Sequence, residues 1–470
     1  MTSGGRKTRR QFLEASLRAG LAFPALGLAP ARGWPRRGEA PWDPALPDPD
    51  LQWRGDSSVG VALRAHPSVW RGADLAARPA SLALPTPSLR SRFSDLPQHF
   101  LFEYYPWYHD DPWRHWKDLR RQPPFDISAN HYPALGPYSS LSRQTLEAHA
   151  RWIAESGAGG VNVSWWGRDR FEDRAVPLLM DVMRDHGLKL AFHLEPYSAD
   201  HGHQYLSDVL YLLREYGERR HWDAFLLLRD EDGGQGPLFK SFRTILPREG
   251  RDCHGNLRSV PDYTADDEWR RQTDALRTLL REDFDHVTLL ADSLDSRRTP
   301  AAGFDGIAIY DSFVRPDTYA AHATGCSAAG LVFSFNVNPG FDAVVARDVP
   351  AGTCYRPPEF EPPAGPIDWD DPVDRERAAR LAEERIRASF AATLAVQTDP
   401  ALANAQRGFL LVYVTSFNEW HEGTSFEPMK DAAALRPGER AFGYHNPAQG
   451  EYRLALLSSL LRQVLSPAGL

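Results

Sequence analysis

The chain has 470 residues, of which 42% are hydrophobic and 25% charged, so it can bury a large core as one barrel or as two to three domains. Its net charge of -8 at pH 7 offers no basic surface of the kind that binds nucleic acid. The cysteines, Cys253, Cys326 and Cys354, are odd in number and widely spaced, which argues against a CxxC metal site or a disulfide framework and allows at most one bridge.

The N-terminus carries a targeting pattern. An arginine pair, Arg9 and Arg10, precedes a mildly apolar stretch over residues 15–29, which is typical of a twin-arginine export signal. The stretch is too short for a membrane-spanning helix. We therefore interpret residues 1–33 as a signal peptide and expect a periplasmic or extracellular protein without stable membrane insertion. An ordinary basic tail is the alternative.

The next segment, residues 34–96, is rich in Pro, Arg and Ser and has little periodicity. This composition predicts a linker, together with a segment that lies against the surface of the following domain. We expect one folded domain over residues 97–470.

Beyond residue 97, short apolar runs alternate with helical stretches. Strands are predicted at residues 99–104, 160–164, 188–194, 237–242, 286–291, 306–310, 331–337 and 409–414. Helices are predicted at residues 142–155, 171–186, 205–216, 266–281, 316–324, 372–396 and 452–464. This alternation predicts an α/β fold, a (β/α)8 TIM barrel, and an open doubly wound sheet is the alternative.

Polar and aromatic residues concentrate where the predicted strands end. In a barrel, functional side chains collect on the loops after the C-terminal ends of the strands. The sequence there reads YYPWY at 104–108, SWWG at 164–167, HLEPY at 193–197, YDS at 310–312 and NEWHE at 418–422. Carboxylates, imidazoles, amides and indoles at one face are what a sugar-cleaving pocket needs to carry protons, bind hydroxyls and stack on rings. Packing in the core or at the rim is the alternative for any single aromatic.

Several of these positions allow two interpretations. Glu195 precedes Pro196, which favours an extended backbone and a side chain in the barrel mouth, but a salt-bridged strand end has the same pattern. His193 is either a hydroxyl ligand or an inner histidine with satisfied hydrogen bonds. His201 and His203 form only a loose HxH, which is usually solvated, so we expect no metal and no cofactor.

Six motifs, taken together, resemble a known family. They are YYPWY at 104–108, YPALGPYSS at 132–140, HLEPYS at 193–198, GFDG at 303–306, PGF at 339–341 and TSFNEWHEGT at 415–424. Their order and spacing are similar to glycoside hydrolase family 99, the endo-α-mannosidases and endo-α-1,2-mannanases. The resemblance covers most of residues 97–465, and its last motif is the most specific. It implies a metal-independent (β/α)8 barrel, a retaining enzyme that cuts inside α-mannoside chains.

The resemblance also implies a mechanism in which the sugar's own 2-hydroxyl takes part. By match of motif, Glu419 would remove the O2 proton, so that O2 displaces the leaving group and a 1,2-anhydro sugar forms. Glu422 would protonate the departing oxygen and then activate water. An α-mannoside suits this route because its O2 and leaving group are both axial and anti.

The predicted substrate-binding residues are Tyr105, Trp166, His193, Glu195, Tyr197, Tyr310, Asn418, Trp420 and His421. A Trp at the position of Trp166 favours mannan by the same resemblance. The chain departs from the family after the fourth strand, where YDSY is replaced by FKSF over residues 239–242. Lys240 and the nearby Arg243 therefore raise the alternative of an acidic glycan. A catalytically silent barrel that binds glycans is a further alternative, and the sequence leaves the oligomeric state open.

Overall fold

The computed structural model describes residues 86–117, 121–251, 256–310, 312, 314–340, 367–441 and 446–465. The predicted signal peptide, most of the predicted linker, Cys253 and Cys354 lie outside the described residues. Cys326 is a buried free thiol, and burial raises its pKa to about 12.

Eight parallel strands of the described residues form the barrel. They are β1 Phe100–Tyr104, β2 Gly160–Trp165, β3 Lys189–Leu194, β4 Gln235–Ser241, β5 Thr288–Ala291, β6 Gly306–Ala308, β7 Val332–Ser334 and β8 Val412–Val414. A short ninth strand of the same sheet, Leu227–Arg229, pairs antiparallel with β4. Neighbours in the sheet follow chain order, and β8 returns to pair with β1. Val337, just after β7, bridges to Val414 and exchanges backbone hydrogen bonds with Tyr413 and Thr415 at 2.8 and 2.9 Å. The sheet is thereby closed, which confirms the predicted TIM barrel over the doubly wound alternative.

Helices occupy the connections between these strands and flank the barrel. They are α1 Thr86–Arg92, α2 Arg143–Ser156, α3 Phe171–Asp185, α4 His201–Leu212, α5 Asp266–Leu280, α6 Arg298–Ala301, α7 Tyr319–Ala328, α8 Pro372–Thr398, α9 Ala403–Gln406 and α10 Tyr452–Leu465. All seven predicted helices are present. The third begins four residues earlier than predicted and continues as a π-helix over Leu213–His221.

Some strands are shorter than their apolar runs predict. β8 begins at Val412, although the run starts at Phe409. The preceding residues are drawn to other partners: Phe409 donates its backbone N–H to the Asn404 carbonyl, and Leu411 donates its own to Gln397 Oε1. Burial alone does not make a strand, because ladder pairing is also required.

The barrel strands direct alternate side chains outward and inward. On β1, Phe100, Phe102 and Tyr104 pack in the layer shared with the helices, whereas Leu101 joins the apolar cluster inside the barrel. Glu103 has the inward parity of Leu101 but lies closer to the C-terminal end of the strand. The barrel interior is therefore apolar toward the N-terminal ends of the strands and polar toward their C-terminal ends, from which the functional loops extend.

Helix α1 lies inside the segment predicted as a linker or surface segment. Leu89, Phe93 and Leu96 are each 2% exposed and belong to the main core. Burying each such side chain contributes about 1.5–3 kcal/mol to folding.

Candidate active site

The loop after β8 is tied back on itself. Ser416 donates its backbone N–H to the Thr424 carbonyl at 3.1 Å, and the hydroxyls of these two residues lie 2.9 Å apart. The buried Arg453 of α10 donates to the carbonyls of Gly423 and Ser425 at 2.6 and 3.0 Å. These bonds fix the backbone that carries both predicted catalytic glutamates.

The two glutamates on this loop have different surroundings. Glu419 is 1% exposed, and its Oε1 lies 3.3 Å from both the backbone nitrogen and Nδ1 of His421. Glu422 is half-buried, and its Oε2 lies 3.4 Å from the Tyr310 hydroxyl. One carboxyl group is thus enclosed and the other is accessible to solvent.

Five of the predicted binding residues surround these carboxyl groups or support the strand ends beside them. The Tyr105 and Tyr310 rings lie 6.4 Å apart, and the Tyr310 and His193 rings lie 6.0 Å apart. Trp166 donates its Nε1–H to Ser164 Oγ at 2.9 Å, and Ser164 donates to Glu195 Oε1 at 2.7 Å. The loops after β1, β2, β3 and β6 therefore converge, as the barrel topology requires.

Tyr105 lies among several acidic groups. Burial raises the pKa of its phenol well above the usual value, and Tyr310, Glu195 and Glu419 add to this effect. The hydroxyl therefore stays protonated and can donate a hydrogen bond at any physiological pH.

Other predicted binding residues lie behind or beside this group. Asn418 and Trp420 are fully buried. Asn418 exchanges two hydrogen bonds with the backbone of Tyr105, at 2.8 and 3.0 Å, so it links the β1 and β8 loops. His421 donates its Nε2–H to the His115 carbonyl at 2.8 Å, which presents Nδ1 to Glu419.

Tyr197 is turned toward helix α4. Its hydroxyl donates to Asp208 at 2.5 Å, and burial raises the pKa of this carboxyl to about 6. The Tyr197 ring covers Gly167, where an added Cβ would approach it to 3.0 Å at a φ of +102°. Glycine at this position leaves room for the ring beside the β2 loop.

A buried network behind the β8 loop was not predicted from the sequence. Glu427 accepts from the Tyr138 hydroxyl at 2.7 Å and from Trp420 Nε1 at 3.0 Å, and its Oε1 lies 3.2 Å from His149 Nε2. Its members come from distant segments, and the one sequence signal is a histidine, His149, within the apolar positions of α2.

A second unpredicted residue is Glu103. The sequence does show a signal for it, a lone charge in the apolar strand FLFEY, and it lies fully buried inside the barrel. Its Oε1 accepts from Lys240 Nζ at 2.7 Å, and its Oε2 accepts from Asn162 Nδ2 at 3.0 Å. Burial favours the neutral acid, but the Lys240 charge and the hydrogen bonds from Lys240 and His193 outweigh it and lower the pKa of Glu103 to about 2.

The basic residues that suggested an acidic glycan are both paired. Lys240 is 0% exposed and bound to Glu103. Arg243 binds Asp262 through two nitrogens, with Nη2 at 2.8 Å from Oδ1. Neither presents an unpaired cation to a substrate.

Two features of the described residues concern metals and membranes. Within that part of the chain, no group of three His, Cys, Asp or Glu side chains is arranged to hold a metal ion. Among the helices described there, none is long and apolar enough to cross a membrane.

Comparisons with known proteins agree with this architecture. A family model for glycosyl hydrolase family 99 matches residues 97–240. A Danio rerio protein named "Glycoprotein endo-alpha-1,2-mannosidase-like protein" is 26% identical over 379 residues, which cover 72% of this chain and 74% of that protein. The Xenopus laevis protein named "Glycoprotein endo-alpha-1,2-mannosidase" is 24% identical over 322 residues, which cover 66% of this chain and 60% of that protein.

A solved structure shares the fold. The GH99 endo-alpha-mannosidase from Bacteroides thetaiotaomicron superposes with a TM-score of 0.53 at 20% identity, covering 78% of this chain and 97% of that one. The chain is similar to glycosyl hydrolase family 99 over residues 97–240 and in its named relatives, which agrees with the predicted resemblance. The protein is a glycoside hydrolase in class.

The family 99 match and the candidate site overlap in part. The matched residues run from β1 to within β4 and include Tyr105, Trp166, His193 and Glu195. Glu419 and Glu422 lie beyond the matched range, on the β8 loop. Their placement at the same barrel face as the matched residues comes from the structure.

Proposed function

We propose that this protein is an exported, retaining, endo-acting hydrolase of α-mannosides. The observation that carries the proposal is the β8 loop, which presents an enclosed Glu419 and an accessible Glu422 at the C-terminal face of the barrel. Aromatic and polar side chains suited to a sugar lie beside them. The names of the fish and frog relatives support the mannoside specificity.

Glu419 is assigned the role of base toward the sugar's O2. Its carboxylate is enclosed, and its Oε1 accepts the backbone N–H of His421 and lies against the His421 ring, so it is fixed in one position. It accepts the O2 proton while O2 forms a bond to C1 and the bond from C1 to the leaving oxygen breaks. The product of this step is a 1,2-anhydro sugar.

Glu422 is assigned the role of acid and then base. It is half-buried, so the leaving oxygen and the incoming water can both reach it. It gives its proton to the leaving oxygen in the first step. In the second step it accepts a proton from the water that attacks C1, the bond from C1 to O2 breaks, and O2 regains its proton from Glu419. Two inversions at C1 give net retention.

The sugar-binding roles follow from the groups at the mouth. We assign Trp166 and Tyr105 to contact sugar faces and hydroxyls, and His193 and Glu195 to bind hydroxyls.

Export is assigned from the arginine pair, Arg9 and Arg10, which lies outside the described residues. Replacing both by lysine should leave the protein in the cytoplasm, and unchanged secretion would contradict this assignment.

A glycan panel tests the proposed function. The purified protein is incubated with α-mannans, α-glucans and acidic glycans, and the products are sized by mass spectrometry. We expect internal cleavage of an α-mannan to oligosaccharides. Binding without cleavage would instead support a silent glycan-binding barrel, and preferential cleavage of another polymer would contradict the mannoside specificity.

A further inference from the structure

A buried ion pair lies inside the barrel beneath the candidate site. Lys240 and Glu103 are both 0% exposed, and Lys240 Nζ lies 2.7 Å from Glu103 Oε1. A buried pair of this kind loses the hydration of both ions, so its contribution to stability is small or unfavourable compared with apolar residues of similar volume. Stability alone does not account for its position.

The pair reaches the site through His193. The second oxygen of Glu103, Oε2, lies 3.2 Å from His193 Nδ1. Strand register places His193 directly beside Lys240, because these residues are partners across β3 and β4. Lys240 Nζ also lies 5.3 Å from the centre of the Tyr310 ring, whose hydroxyl contacts Glu422.

His193 has a hydrogen-bonding atom without a partner among the described residues. The residue is 1% exposed, and its Nε2 is buried without a hydrogen bond among the described residues. Burying a polar atom without a hydrogen bond is unfavourable in free energy unless another molecule supplies the hydrogen bond. The bound sugar is the natural source of that partner at the C-terminal end of β3.

The carboxylate of Glu103 determines where the imidazole proton lies. An ionised carboxylate only accepts hydrogen bonds, so His193 Nδ1 must carry the proton that it donates to Oε2. In a neutral ring Nε2 is then an acceptor. Glu103 stays ionised because the Lys240 charge and the hydrogen bonds from Lys240 and His193 hold its pKa at about 2 despite its burial.

Groups of both charge signs lie near His193. Glu103 Oε2 and Glu195 Oε1 lie 3.2 and 3.9 Å from His193 Nδ1, and the Lys240 cation is paired with Glu103. The rings of Tyr310 and Phe242 also pack against the imidazole. Lys240 is therefore the nearby cation that offsets the two carboxylates.

We propose that Lys240 and Glu103 are positioning residues that hold His193 as a neutral imidazole with its proton on Nδ1, so that Nε2 accepts a hydrogen bond from a sugar hydroxyl. The sugar-binding part of this inference rests on the proposed function. The placement of the proton rests on the contact between His193 Nδ1 and the Glu103 carboxylate and is independent of that function.

Charge-changing variants test the inference. Lys240→Met removes the cation, and Glu103→Gln/Lys240→Met removes both charges while keeping an oxygen for Nδ1–H. Lys189→Met is the control, because Lys189 lies at the N-terminal end of β3. Two properties are measured for each protein: the pH dependence of kcat/KM on α-mannan, and the 15N signals of His193 in the sugar-free protein, assigned with His193→Gln.

In Lys240→Met we expect the acid limb of kcat/KM to move up by about one pH unit, with activity recovered at higher pH. The double variant should return to the wild-type profile, and Lys189→Met should not depart from it. A merely structural role would lower activity uniformly without moving the limb, and this result would overturn the proposal. A double variant that keeps the shift of Lys240→Met would also overturn it.

The nitrogen signals separate this inference from the proposed function. The wild-type protein should show a neutral His193 ring with the proton on Nδ1, and a proton on Nε2 would contradict the inference. This readout needs no activity and no folded variant beyond the His193→Gln used for assignment. If the wild-type protein cleaves no mannoside, the proposed function fails while the proton placement is still decided.

Discussion

At the scale of single residues, the proposed roles of the two glutamates depend on how each one is enclosed. Glu419 and Glu422 are three positions apart, yet Glu419 is sealed against His421 and Glu422 is half-buried beside Tyr310. Their separation in the sequence does not define their roles. The proposed roles follow from the surroundings, because His421 holds Glu419 in one position, whereas Glu422 is exposed enough for a leaving oxygen and a water molecule to reach it in turn.

Glu422→Gln should separate the acid role from the base role. With an α-mannan the rate should fall by roughly 10²–10⁴-fold, because the leaving oxygen is no longer protonated. With an aryl mannoside whose phenol leaves readily, the first step should be nearly unaffected. Glu419→Gln should lose both activities, since O2 must be deprotonated in either case. Glu451→Gln, at an exposed position, is the control. If Glu422→Gln loses equal activity on both substrates, Glu422 is not the acid.

Tyr310→Phe tests the contact between the phenol and Glu422. The ring stays over Lys240, but the hydroxyl that lies 3.4 Å from Oε2 is lost. A hydrogen bond to a charged group contributes about 1.5–3 kcal/mol, and the long distance here places the effect at the low end, so we expect kcat to fall about tenfold. Steady-state kinetics at several pH values measure this. An unchanged kcat would show that the contact does not act in the rate-limiting step.

At the scale of elements, the β8 loop is held from behind by Glu427, Tyr138 and His149. This network joins α2 and the loop after β1 to the segment that carries both glutamates. Rigid support of this kind keeps a catalytic group in its productive position.

Glu427→Gln should weaken that support. The amide nitrogen of Gln cannot accept the bonds that Tyr138, Trp420 and His149 direct at the two carboxylate oxygens. A buried donor left unsatisfied costs about 1–3 kcal/mol, which urea denaturation would detect. We also expect a lower kcat on both the polymer and the aryl substrate. The conservative Glu384→Gln, at an exposed position of α8, is the control. Unchanged stability and kcat would show that the network does not position the loop.

The strand and loop pattern was sufficient to predict the barrel and several residues at its mouth. Eight apolar runs, each followed by polar or aromatic residues, define both the topology and the functional face. Glu103 and Lys240 could not be paired in this way, because they are 137 positions apart and separated by two strands whose register the sequence does not specify. Asn418 and Trp420 were placed at the site by motif, whereas their hydrogen bonds hold the loop.

At the scale of the whole molecule, the interior ion pair links stability to pH. A carboxyl group whose folded pKa lies below its unfolded value contributes stability above the unfolded pKa and loses it as the pH falls toward the folded one. For Glu103 this window runs from 4.5 down to about 2 and corresponds to about 3 kcal/mol.

The Glu103→Gln/Lys240→Met variant should therefore lose less stability in acid than the wild type. Urea denaturation at pH 6, 4 and 3 gives the free energy of unfolding of both proteins. We expect the difference between them to shift in favour of the variant as the pH falls. A difference that stays constant between pH 6 and 3 would contradict the assigned ionisation of Glu103.

The participation of O2 is the central claim, and a pair of matched substrates tests it most directly. One is an α-mannoside with a free 2-hydroxyl on the sugar that reacts, and the other is its 2-deoxy analogue, which is intrinsically easier to cleave. NMR follows both reactions from the first turnover. The account predicts that the parent gives the α anomer as the first product and that the 2-deoxy analogue is not cleaved. Comparable cleavage of both substrates, or a β anomer formed first, would contradict it.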